Sequence, residues 1–233
     1  VFCSELVQFV SDESLQVYGG MGFSAESEVE ACYRDARISR IYEGTNEINR
    51  LLIVKMILKK GMTGEIDLMG PAKAVAKEIL SIPTYNNPPN DMFLEEKMVL
   101  KNFKKAILLI AGSATEKLGN RISEEQEIMM NISEMIIDTY MLESALLKTE
   151  KLVNKEGEKR HKEKIAICIN YLHHTADKIN KNAKEAIYAM TNGDEQTILL
   201  LALKRFTKVK AVNLKEQRRI IAKKVIEENK YCY

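Results

Sequence analysis

Two short stretches carry the groups best suited to chemistry. The first is Gln16-Val17-Tyr18-Gly19-Gly20-Met21-Gly22-Phe23, with three glycines in four positions. Such a cluster permits positive φ and lets a phosphate or a ring approach the backbone closely. A tight turn between two helices uses the same residues. The spacing matches neither a dinucleotide fingerprint nor a phosphate-binding loop, and no strand pattern precedes it. The second stretch runs from Arg34-Asp35-Ala36-Arg37-Ile38 to Ile41-Tyr42-Glu43-Gly44-Thr45-Asn46-Glu47-Ile48. Glu43 falls in the joint between two helices and is followed by a glycine. Its carboxylate can point into a cleft and act as a base, or it can favour the dipole of the helix that begins near Thr45.

The elements that must position these residues are helical. Alternating β-branched runs are scarce, aromatic residues make up only 6% of the chain, and long stretches carry helical period and strong helix formers. The pattern predicts an all-α protein with helices near 1–17, 25–36, 46–60, 65–81, 93–118, 124–156, 158–191, 194–203 and 209–228. Ser24 is placed to cap the second helix and Gly61 to follow the third. Ser123-Glu124-Glu125-Gln126 reads as a capping box for the long helix after it. Gly157 and Asn192-Gly193 read as helix ends, and Asn86-Asn87-Pro88-Pro89-Asn90 as a loop. Three regions follow: 1–60 with the glycine clusters, a connector over 61–92 with one short helix, and a plain helical bundle over 93–233.

Composition excludes several classes. The chain has 233 residues, 45% hydrophobic and 29% charged, with a formal net charge of +2. That is enough to bury a core, and too balanced to argue for nucleic acid. No run approaches the roughly 18 apolar residues of a membrane span. Cys3, Cys32, Cys168 and Cys232 lie far apart, which argues against a zinc site or a disulfide scaffold and suits a reducing compartment. The chain opens on Val1-Phe2-Cys3 inside a helical pattern, with no charged and apolar leader. The expectation is a piece of a longer protein, of bacterial cytoplasm or, alternatively, of mitochondria.

Taken together, Gln16-x-x-Gly19-Gly20-x-Gly22-Phe23, Arg34-Asp35 and Tyr42-Glu43-Gly44-Thr45 resemble, in order and spacing, the signature of the acyl-CoA dehydrogenases. Residues 1–60 look like the end of that family's C-terminal helical domain. Val1–Glu5 and Glu43–Ile48 look most like the very-long-chain branch, whose extra helical domain fits 61–233 in size. The resemblance implies an FAD-dependent α,β-dehydrogenation of acyl-CoA to trans-2-enoyl-CoA in fatty-acid β-oxidation. Glu43 would be the catalytic base, its backbone N–H would help hold the thioester oxygen, and Gly44 would lie along the substrate. Thr45 and Glu47 match positions that touch FAD. Gln16, Gly19 and Gly20 match positions near the adenosine and pyrophosphate of an FAD held mainly by a neighbouring subunit. A homodimer or larger homo-oligomer, with electron-transfer flavoprotein as acceptor, is implied too. Glu47 departs from the short- and medium-chain enzymes, which resemble each other in carrying an amide there. Arg34 and Asp35 are expected to form an ion pair tying helices together. The piece alone is expected to be inactive; tight FAD binding and turnover by it would refute that. An acyl-CoA oxidase and a non-catalytic scaffold are the alternatives.

The remaining features have plain readings. His161, His173 and His174 are spaced wrongly for a helical metal pair and are expected to be partly exposed. Met129, Met130, Met135 and Met141 read as core filling. Residues 61–90 and the basic segment 204–228 are either solvated helix faces or sites of peripheral membrane contact.

Overall fold

The computed structural model describes residues 1–79, 81 and 91–233. All regular elements among them are helical: α1 (Phe2–Tyr18), α2 (Glu28–Ile38), α3 (Asn46–Met62), α4 (Met69–Ile79), α5 (Leu94–Leu118), α6 (Gln126–Glu156), α7 (Lys162–Met190), α8 (Gly193–Phe206) and α9 (Leu214–Glu228), with three short 3-10 turns. The chain divides into two compact units, Val1–Lys59 and Lys60–Tyr233. The proline-rich segment read as a loop at 86–90 lies outside the described residues.

In the first unit, α1 packs on α2 and on the 3-10 turn Gly19–Phe23. Two of the glycines there answer to local sterics. Gly19 has φ 61, a conformation that side chains disfavour. A Cβ on Gly22 would meet the Leu15 carbonyl oxygen at 2.7 Å and the Tyr18 Cβ at 2.8 Å. The cap of α2 is Ser27, not Ser24. Ser27 directly precedes Glu28, and its hydroxyl accepts from the Val29 N–H at 3.3 Å.

In the second unit, α7 packs against α5, α6, α8 and α9, and α4 lies on α5. Phe103 and Ile110 of α5, Met135 and Leu142 of α6, Ile179 and Ile187 of α7 and Phe206 of α8 are all buried to 1% exposure or less. Met129 and Met135 fill this core, while Met130 and Met141 are half-buried. The buried Asp138 carboxylate takes the half-exposed Lys178 at 2.7 Å and accepts from the Tyr171 hydroxyl at 3.2 Å.

Three punctuation marks fall differently from the sequence pattern. Gly61 lies inside α3, which runs on to Met62, and a Cβ at Gly61 would sit 2.5 Å from Leu68 Cδ1; the left-handed residue beyond the helix is Gly64, with φ 74. The capping box does not form: the Ser123 hydroxyl bonds back to the Asn120 carbonyl inside a 3-10 turn, and Glu125 caps α6 through backbone alone. His161 is buried, not partly exposed. It sits at the N-cap of α7 with Nε2 3.3 Å from a Glu156 carboxylate oxygen. Gly157, with φ 87, ends α6. Among the described residues no helix is long and apolar enough to cross a membrane.

Candidate functional site

The joint between α2 and α3 is built around an unusual backbone. Glu43 has φ 54 and Gly44 φ 89. Only one other non-glycine residue among those described, Asn229, has positive φ. A left-handed L-residue costs about 1–2 kcal/mol, so neighbouring contacts must hold it. They are present. The Asn46 N–H donates to the Arg40 carbonyl at 3.1 Å and closes the loop. The Asn49 side-chain amide donates to the Gly44 carbonyl at 2.7 Å. The Thr45 hydroxyl accepts from the Ile48 N–H at 3.3 Å and starts α3.

The carboxylate of Glu5, on α1, gathers the two ends of this loop. It takes the Arg50 guanidinium at 2.6 Å, the Asn46 amide at 3.4 Å and Arg40 at 3.8 Å. Asn46 also accepts from the Ser4 hydroxyl at 3.0 Å. Asn46 and Arg50 are buried, so this network replaces an apolar contact between α1 and α3.

With its base pinned in this way, the loop presents Glu43 and Gly44 to the outside, with Glu47 exposed in the first turn of α3 and Thr45 half-buried between them. The Glu47 carboxyl is held below its usual range, first by its own backbone N–H at the start of α3, then by the Thr45 hydroxyl, with Arg50 and Arg40 adding to the effect. Glu47 is therefore an anion at neutral pH, and the Thr45 hydroxyl is already shared between it and the helix cap.

Gln16, Gly19 and Gly20 form a second group at the other end of α1, about 16 Å along the helix axis from Glu5. All three are exposed. Unlike Gly19 and Gly22, Gly20 has ordinary φ and open space where a Cβ would go, so nothing in the chain itself requires a glycine there. A shallow concavity of about 290 Å³ lies beside this group, lined by Phe9, Val10, Glu13, Ser14, Val17 and Tyr18. Neither Glu43 nor any other predicted site residue lines it.

Arg34 and Asp35 do not tie helices together. Arg34 is exposed and bonds to Glu30 one turn earlier on the same helix. The residues that do tie α1 to the loop and α3, Glu5, Arg40, Asn46 and Arg50, were not legible as a group in the sequence. The available signal was two arginines flanking the Glu43 loop and one acid on an otherwise apolar stretch of α1. Among the described residues no cluster of three metal-binding side chains occurs.

Comparison with known proteins bears on both units. Residues 1–58 and 102–205 match two family models, each described as acyl-CoA dehydrogenase, C-terminal domain. A probable acyl-CoA dehydrogenase of Bacillus subtilis is 37% identical over 231 residues, 99% of this chain and 39% of its own length. The mouse mitochondrial very long-chain specific acyl-CoA dehydrogenase is 53% identical over 53 residues, 23% of this chain and 8% of its own. The crystal structure of an acyl-CoA dehydrogenase from Bacillus anthracis complexed with FAD superposes with a TM-score of 0.94 at 36% identity, covering 100% of this chain and 40% of that one. The chain thus spans about two fifths of the length of these bacterial relatives.

Proposed function

Because this chain belongs to the acyl-CoA dehydrogenase C-terminal domain family, we propose that it is part of an FAD-dependent enzyme that converts an acyl-CoA to the trans-2-enoyl-CoA. The observation that carries the reading is Glu43: an exposed carboxylate on a left-handed backbone, followed by a glycine, within the segment that matches the family's C-terminal domain. The activity is assigned to the full-length protein.

Glu43 is the base. It takes the α-proton of the thioester while a double bond forms between Cα and Cβ and the β-hydrogen leaves as hydride. Accepting that hydride is the chemistry FAD supplies when bound. The backbone N–H of Glu43 stabilises the developing negative charge on the thioester oxygen. Gly44 leaves room for the acyl chain beside the carboxylate.

Thr45 and Glu47 are the residues of this loop that would face FAD, and Gln16, Gly19 and Gly20 those at the end of α1. The open space at Gly20 supports a group lying directly on the backbone there. The separation of the two sets suits a second set that serves the FAD of a neighbouring copy, and so a homo-oligomer. The exposed Phe9, Val17, Tyr18 and Phe23 around the second set fit burial by such a copy. A long acyl chain, β-oxidation and electron-transfer flavoprotein as acceptor are the finer parts of the proposal.

The test uses the purified full-length protein with its flavin, mixed anaerobically with acyl-CoAs of graded length. Bleaching of the flavin absorbance with formation of 2-enoyl-CoA is the expected result. Flavin that stays oxidised with every chain length would leave the scaffold reading. In a parallel aerobic assay, rapid oxygen consumption with peroxide release would make the protein an oxidase.

A further inference from the structure

The left-handed backbone at Glu43 is held from two sides, by residues that no reaction step uses. From α1, Glu5 binds Asn46 and Arg40, the same two residues whose backbone hydrogen bond closes the loop, and anchors Arg50 one turn further into α3. From within α3, Asn49 holds the Gly44 carbonyl at 2.7 Å, fixing the peptide immediately after Glu43. A substitution at either position frees the loop to relax toward ordinary φ, which swings both the Glu43 carboxylate and its N–H away from a bound thioester.

We propose that Glu5 and Asn49 are positioning residues that set the deprotonating geometry of Glu43. The proposal rests on Glu43 being the base. Three features separate the clasp from a general stabilising contact. Glu5 takes the side chains of Arg40 and Asn46, the two ends of the seven-residue loop. The Gly44 tether is short, at 2.7 Å, and comes from a half-buried side chain. Glu5 thus holds the ends of the loop and Asn49 its middle, so each restrains what the other leaves free.

Deprotonation can be read apart from turnover, as exchange of the α-hydrogen of a bound acyl-CoA with solvent D2O. The full-length, flavin-loaded protein would be compared with Glu5→Gln, Glu5→Ala, Asn49→Ala and Glu43→Gln. Exchange should fall roughly ten- to hundredfold in Glu5→Ala and in Asn49→Ala, as expected for a small misplacement of a reacting group. Glu5→Gln, which still accepts from Asn46 and Arg50, should recover part of the rate. Flavin content should match the wild type, and KM should change by less than about threefold, because the loss falls on the proton-transfer step. Wild-type exchange in the Glu5 and Asn49 variants would overturn the proposal. So would a loss of exchange that merely tracks lost flavin and lowered melting temperature. Should Glu5→Ala fail to fold, Glu5→Gln and Asn49→Ala decide. Exchange that persists in Glu43→Gln would instead overturn the assignment of the base.

Discussion

The first unit buries four side chains of α3, and two of them, Asn46 and Arg50, are polar. Alpha-helix α1 buries none, while Phe9, Val17 and Phe23 are 61%, 83% and 74% exposed. The second unit rests on a larger core, mainly Phe, Ile, Leu, Met and Ala from α5, α6, α7 and α8 with a few buried polar side chains such as Asp138 and Thr175, and its exposed large apolar residues are scattered. The contrast assigns the units different tasks. A largely apolar core gives stability without specifying the orientation of any one peptide. A network of directed hydrogen bonds around Glu5 fixes one loop at the cost of burying polar groups. The unit with the smaller core is the one that carries the candidate chemistry.

Substitutions can break or sharpen this comparison. The largest stability effect should come from the second unit: Phe103→Ala removes a fully buried ring and should cost about 3–5 kcal/mol in a denaturant titration. The first unit should be most sensitive where backbone is crowded. Gly22→Ala places a Cβ against the Leu15 carbonyl and should cost about 1–3 kcal/mol. Gly20→Ala meets open space and should leave the melting temperature unchanged, while raising the dissociation constant for FAD if the proposal for Gly20 holds. Equal melting losses at Gly20 and Gly22 would erase the distinction between a structural and a ligand-facing glycine.

Alkaline pH should separate the units as well. Burial, followed by the Asp138 carboxylate, pushes the Tyr171 phenol up, and burial pushes the Cys168 thiol up. Both groups are neutral in the fold, so their contribution is present at low pH. It is lost as pH rises past their ordinary values of 9.0 for the thiol and 10.0 for the phenol, where the unfolded chain ionises first. The second unit should therefore lose stability above about pH 9, and Tyr171→Phe should flatten the upper part of that decline. Surface ion pairs should matter least. Lys223→Ala breaks an exposed pair with Glu227 and should change stability by less than about 0.5 kcal/mol.

How far the sequence could be read follows from the same contrast. Helical periodicity reports apolar burial, and it predicted a helix at each of the nine α-helices seen among the described residues. It was weaker at their ends, where geometry decides: Ser27 rather than Ser24 caps α2, and Gly61 lies within α3, packed close against Leu68, rather than after it. The motif around Glu43 was legible as residues and spacing, but its left-handed backbone and the Glu5 clasp were not. The ion pair from Glu5 to Arg50 spans 45 positions and leaves no trace in any local pattern. Arg34 shows the converse, a charge that looked like a tie between helices and serves only its own.

The most direct test of the central claim replaces Glu43 by Gln in the full-length, flavin-loaded protein and follows flavin absorbance after anaerobic mixing with a long-chain acyl-CoA. The account predicts rapid bleaching in the wild type and its loss in the variant, with flavin content and melting temperature unchanged. Bleaching at the wild-type rate in Glu43→Gln would contradict it and move the base elsewhere.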